Sequence, residues 1–190
     1  LNTAGGTSRP RYFQIRGIGE RSQYAGEGGP IYYVGTIIDD IEISGIGMPL
    51  FLDDIQQIEV HQGPQSYAYG HNAMAGLINI KTLNPEKEKL TKAKINLGND
   101  NKINFSIYKN FGILSNSIYL NSFLHYNSQD GFIHNQFLNK YANHKRELAS
   151  KIKLLYKKND NFTSKLTMMY TNLNNGYDSW TPDNNGEITY

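Results

Sequence analysis

Apolar side chains fall on every second position through most of the chain after residue 85. Ala93, Ile95 and Leu97 alternate with Lys92, Lys94 and Asn96, and Ile103, Phe105 and Ile107 alternate with Asn104 and Ser106. Ile118, Leu120, Leu124 and Tyr126 share one parity against Tyr119, Asn121 and His125. Ile152, Leu154 and Tyr156 alternate with Lys151, Lys153 and Lys157, and Phe162, Leu166, Met168 and Tyr170 with Thr163, Lys165 and Thr167. Successive side chains of a strand point to opposite faces, so this spacing predicts about five strands, each with one apolar face. The connections differ in length. Gly112–Asn116 and Lys157–Asn161 read as tight turns and Gly98–Asn101 as another, whereas 127–146 and 172–190 read as long polar and aromatic loops.

Before the break at Asn84-Pro85, glycine is dense and the elements are short and mixed. Tyr12–Arg16 reads as a strand ended by Gly17-Ile18-Gly19, followed by a glycine-rich loop to Pro30. Ile31–Val34 and Thr36–Ile38 are β-branched and aromatic, hence strands. Pro49 suits the first turn of a short helix through Asp54. Gln57–His61 reads as a strand closed by Gly63-Pro64, Ser66 as the N-cap of a helical turn over Tyr67–Tyr69, and Leu77–Ile80 as a further strand. The expected fold class is a small α+β unit over residues 1–85, followed over 86–190 by an antiparallel sheet.

Composition narrows the function. Nineteen basic and 17 acidic residues give a net charge of +2, which excludes a nucleic-acid binder working through a strongly basic surface. With no cysteine there is no disulfide, thiolate metal site or cysteine nucleophile. No apolar run reaches the roughly 18 residues of a membrane helix, but alternating strands of about 9–11 residues also span bilayers.

No catalytic constellation is legible. Asp39-Asp40 and Asp53-Asp54 are adjacent pairs, suited to turns and caps rather than to converging carboxylates. The five histidines have no His-Glu-x-x-His or paired metal spacing. Gly17-Ile18-Gly19 and the run Gly26–Gly29 lack the lysine and helix of a phosphate loop, and no serine sits in a Gly-x-Ser-x-Gly setting. The chain is therefore read as a non-enzyme that calls for no cofactor.

Several motifs in order carry a resemblance. Ile58-Glu59-Val60, Gly63-Pro64-Gln65, Tyr69-Gly70, Asn72-Ala73 and Gly76-Leu77-Ile78-Asn79-Ile80, with Ile15-Arg16-Gly17 and Gly35-Thr36-Ile37-Ile38-Asp39 upstream, resemble the plug domain of TonB-dependent outer-membrane receptors. The resemblance is close over residues 12–84 and rests on pattern alone beyond. It implies a plug followed by the first strands of a transmembrane β-barrel in the outer membrane of a Gram-negative bacterium. A plugged barrel has about 22 strands and several hundred residues, so the chain is expected to be a fragment.

By the same resemblance, the function is active uptake of a ferric siderophore or a similar scarce ligand, with outer-membrane lipid and the TonB energy-coupling protein as partners. A corrinoid or carbohydrate receptor and a soluble α+β binding module are the alternatives. The resemblance places the ligand above the plug apex, enclosed by outer loops, with contacts at Arg21, Tyr24 and Glu27 of loop 18–30 and at Tyr177 and Trp180 of the barrel loop 172–190, where rings stack on catechols and Arg meets an anionic chelate. It also assigns Arg16 to the locking of the plug in the barrel. The usual second locking arginine is Gln62 here, which hydrogen-bonds without charge, and Asp40 stands where glycine is common.

Overall fold

The computed structural model describes residues 2–4, 12–19, 32–44, 53–115, 117–135 and 139–176. The chain divides into two compact units, Leu1–Leu83 and Asn84–Tyr190.

In the first unit, β1 (Asn2–Ala4) pairs antiparallel with β2 (Tyr12–Gln14). A four-stranded sheet follows, built from β3 (Val34–Ile38), β4 (Ile41–Glu42), β5 (Ile55–Gln62) and β6 (Gly76–Thr82) in the order β4-β3-β6-β5. β3 and β6 run parallel and the outer pairs antiparallel. The two central strands are buried at nearly every position, which is why they read as continuous apolar runs rather than alternating ones. Ile37, Leu77 and Ala73 form the centre of the core.

Between β5 and β6 lie a helical turn, α1 (Ser66–Tyr69), and a 3-10 turn, His71–Ala73. Ser66 is the first helical residue rather than the expected cap; Gln65 takes that position, and no side chain caps the turn. The strand expected over Tyr12–Arg16 ends at Gln14, because Arg16 and Gly17 turn the chain with φ of 54° and 78°. The strands expected at 31–34 and 36–38 are a single strand beginning at Val34. Asp39 and Asp40 form the two-residue turn between β3 and β4, both at positive φ. Of the helix expected from Pro49, only Asp53 and Asp54 lie among the described residues, and they form a turn.

The second unit is an antiparallel meander of five long strands: β7 (Leu90–Gly98), β8 (Lys102–Ser115), β9 (Ile118–Gln129), β12 (Lys145–Asn159) and β13 (Phe162–Leu173). The link between β9 and β12 carries a small hairpin, β10 (Ile133–Asn135) with β11 (Lys140–Ala142), where a long loop is expected. Gly112 lies inside β8 at a register shift instead of opening the next turn. There the strand lies against residues 86–89. Asn110 donates to the carbonyls of Glu86 (3.1 Å) and Glu88, and a Cβ on Gly112 would lie 2.7 Å from the Lys87 oxygen. No helix among the described residues is long and apolar enough to cross a membrane.

Candidate functional site

The cross-strand register of the second unit sorts its side chains into two faces, since directly opposed residues share a face. One row runs Ala93, Ile107, Leu124, Ser150, Tyr170 and the next Ile95, Phe105, Tyr126, Leu148, Asn172. Ile152 opposes Met168, and Leu154 opposes both Leu120 and Leu166. Ile95, Ile103, Phe105, Ile107, Ile152, Leu154, Leu166 and Met168 therefore occupy one face, as the alternation predicts. The other face holds Lys94, Ser106, His125 and Ala149 in one row and Tyr108, Phe123 and Lys151 in another, with Asn110, Asn121 and Lys153 beyond.

The burial of these faces is inverted relative to a water-soluble sheet. Ile95 is 64% exposed and Met168 61%, whereas Lys153 is 0% exposed and Lys151, Asn121, Ser106 and His125 are buried. In water, exposing an apolar face while burying a lysine-bearing one forfeits hydrophobic stabilisation and incurs desolvation. Against lipid the same arrangement is favourable, because the acyl chains cover the apolar side. On the polar face Asn104 contacts His125 at 3.2 Å, Asn121 donates to the Tyr108 hydroxyl at 3.2 Å, and the Lys151 ammonium lies 5.6 Å from the Phe123 ring centre.

One end of this sheet is tied by polar side chains. Asp130, just past β9, accepts from Asn101 (2.8 Å) and Arg146 (2.5 Å), so its carboxyl is held below the ordinary range, first by Asn101 and then by Arg146. Arg146 also donates to the Gln129 carbonyl, and Glu147 accepts from Asn127 and Asn175. The three links at this end are thereby fastened to their strands.

The first unit carries three polar constructions. In the tight turn between Ile15 and Ile18, each backbone N–H donates to the other's carbonyl, and the exposed Arg16 reaches Gln62 Oε1 at 3.4 Å. Asp39 is buried and accepts from the Thr82 backbone N–H (3.0 Å) and hydroxyl (2.6 Å), which pins the last residue of β6 to the β3–β4 turn. Glu59 accepts from Lys81 (2.6 Å), Asn79 (3.0 Å) and Gln57 (3.0 Å). The Lys81 bond is the main reason that its carboxyl is held low.

Of the residues expected to act, Arg16 and Gln62 are brought together, though Arg16 sits in the turn and not at a strand end. Arg21, Tyr24, Glu27, Tyr177 and Trp180 lie outside the described residues. The Asp39 and Asp130 contacts are absent from the sequence reading. Their only local signal is an Asp beside a turn, whereas their partners are distant in sequence.

Residues 1–77 match the family of the TonB-dependent receptor plug domain. The match to the plug-domain family covers nearly the whole first unit. Two solved structures share the fold across plug and strands. The ferric yersiniabactin uptake receptor FyuA from Yersinia pestis is 22% identical with a TM-score of 0.61, over 68% of this chain and 21% of that one. The pyoverdine outer membrane receptor FpvA from Pseudomonas aeruginosa PAO1 is 12% identical with a TM-score of 0.67, over 90% of this chain and 23% of that one. The chain thus spans less than a quarter of the length of either receptor. Its second unit corresponds in fold to antiparallel barrel strands, which among the described residues form an open five-stranded sheet.

Proposed function

We propose that this chain is part of an outer-membrane receptor that takes up a scarce ligand, of the ferric-siderophore kind, by TonB-dependent active transport. The observation that carries the reading is a match to the plug-domain family followed directly by a sheet whose apolar face is exposed and whose opposite face buries Lys151 and Lys153 at its centre. An apolar outer face and a polar inner one are what a lipid-embedded barrel requires, and they disfavour a soluble binding module. In this reading residues 1–85 belong to the plug and 86–190 to the first barrel strands, the molecule binds and transports rather than catalyses, and TonB and outer-membrane lipid are its partners.

The ligand class is supported by the company of the fold, since FyuA is described as a receptor for ferric yersiniabactin and FpvA as one for pyoverdine. Arg21, Tyr24, Glu27, Tyr177 and Trp180 remain our proposed ligand contacts, and Arg16 with Gln62 our proposed locking pair. The test is uptake of radio-iron chelates by iron-starved cells producing the complete receptor, with and without TonB. Uptake that needs both receptor and TonB supports the reading; iron uptake indifferent to TonB overturns it.

A further inference from the structure

We propose that the outward, apolar face of the second unit carries a site for the phosphate of an anionic glycerophospholipid, centred on Lys109. The proposal rests on the receptor reading above, which sets this face against lipid, and adds a headgroup site within it.

Lys109 departs from the chemistry of its face. Along β8 it follows Ile103, Phe105 and Ile107 on the same side, and across the sheet it shares a row with Thr91, Ser122, Ile152 and Met168. An ammonium at a lipid-facing strand position is costly unless it reaches the headgroup layer or an anion. Among the described residues, Lys109 is in no ion pair.

The side chain is aimed at one end of the sheet. Its ammonium lies 4.8 Å from the ring centre of Phe111, which is two residues further along β8. That is the direction of the tight links Ser115–Ile118 and Asn159–Phe162, and short turns mark the periplasmic side of outer-membrane barrels. Tyr156 and Phe162 meet edge to face at this end, with ring centres 6.3 Å apart. Amphipathic rings of this kind sit at headgroup level. Lys109 therefore leans toward the periplasmic headgroup layer.

Hydroxyls and a second lysine complete the site. Thr91 and Ser122 oppose Lys109 directly on either side, so their Cβ atoms stand about 5 Å from its own and their hydroxyls can donate to phosphate oxygens. Gly112 opposes Leu120 on the outward face, and a Cβ there would lie 3.2 Å from Lys89 Cγ. The missing side chain gives Lys89 its place on that side of β8. Glu86 and Glu88 turn their carbonyls to Asn110, which belongs to the opposite face, and neither is ion-paired with Lys89 or Lys109. Two ammoniums and two hydroxyls beside a ring form a cationic notch in an apolar surface. Such a notch favours a headgroup of net negative charge over a zwitterionic one, while acyl chains cover the aliphatic side chains around it.

The experiment is native mass spectrometry of the full-length receptor in detergent, titrated with dioleoylphosphatidylglycerol or with dioleoylphosphatidylcholine. Heat-modifiable migration is the folding control. Wild type is expected to bind its first phosphatidylglycerol about tenfold more tightly than phosphatidylcholine. Lys109→Gln should weaken phosphatidylglycerol binding about fivefold, and Lys109→Gln with Lys89→Gln should abolish the preference. Lys109→Arg, which keeps the charge, and Lys102→Gln, at the other end of β8, should stay within about twofold of wild type. Equal affinity of wild type for the two lipids overturns the proposal, as does an unchanged preference in the double variant. Displacement of the lipid by inorganic phosphate overturns the lipid as occupant in favour of a free anion. Each of these leaves the receptor reading standing; its own failure shows separately, as uptake indifferent to TonB.

Discussion

Arg16 and Gln62, 46 positions apart, meet through a hydrogen bond of 3.4 Å from the guanidinium to the side-chain oxygen. The contact is long and exposed, so on its own it stabilises little. Its significance is that Arg16, held at positive φ in a tight turn, lies beside Gln62, its proposed locking partner. A charged residue kept at left-handed φ costs about 1 kcal/mol, and such strain commonly accompanies function.

This separates folding from locking. Arg16→Gly removes the strain and the charge together, so it should leave the protein at least as stable as wild type while making the barrel leak. Arg16→Ala should also leak, and Gln62→Ala should do little. Entry of large antibiotics into cells producing each variant reads the leak. Wild-type tightness in both Arg16 variants removes the locking role.

The Asp39–Asp40 turn yields two opposite effects. Asp39→Ala leaves the Thr82 hydroxyl and N–H in a buried site without their carboxylate acceptor and should destabilise by about 2–3 kcal/mol. Asp40→Gly relieves a φ of 69° and should stabilise by about 0.5 kcal/mol. Chemical denaturation of the purified receptor measures both, and a destabilised Asp40→Gly would show that the side chain contributes more than the strain costs.

Met168 and Met169 are neighbours of identical chemistry on opposite faces of β13. Arginine at Met168, on the apolar face, should cost about 2–4 kcal/mol and reduce assembly in the membrane. Arginine at Met169, opposite Lys151, should cost clearly less. Heat-modifiable migration of the folded receptor compares the two, and equal losses would contradict the facing derived from the register.

Lys81 holds the Glu59 carboxyl below its ordinary value of 4.5, and Glu59 in turn raises Lys81 above 10.5. The carboxylate's contribution is complete above its unfolded value and is lost as the pH falls through the lowered one. The ammonium's contribution is complete below 10.5 and is lost as the pH rises through the raised value. Glu59→Gln should therefore lower the melting temperature near neutral pH and converge with wild type once the pH has fallen below the lowered Glu59 value. A difference that persists in acid would mean that packing, not the ion pair, is responsible.

Asn110 and Gly112 seat residues 86–89 on β8. Asn110→Ala should speed amide hydrogen exchange across 86–89 by about tenfold while leaving β12 protected. Unchanged exchange there would mean that the segment is held by its own backbone.

The partition of Ile152 from Lys151 and of Phe105 from Asn104 was legible in the sequence, because a strand's two-residue period is a local property and needs no knowledge of its neighbours. The change of pattern at Pro85 and the ordered motifs from Ile15 to Ile80 were legible for the same reason: each depends on residues close together in the chain. What only the tertiary structure decided is which distant residues meet: Arg16 with Gln62, Asp39 with Thr82, Asp130 with Arg146, and His134 with Tyr141 across a hairpin that reads as plain loop. Those pairings follow from strand register and turn geometry. A shift of one residue reverses every facing, so local periodicity leaves them open until the whole sheet has formed.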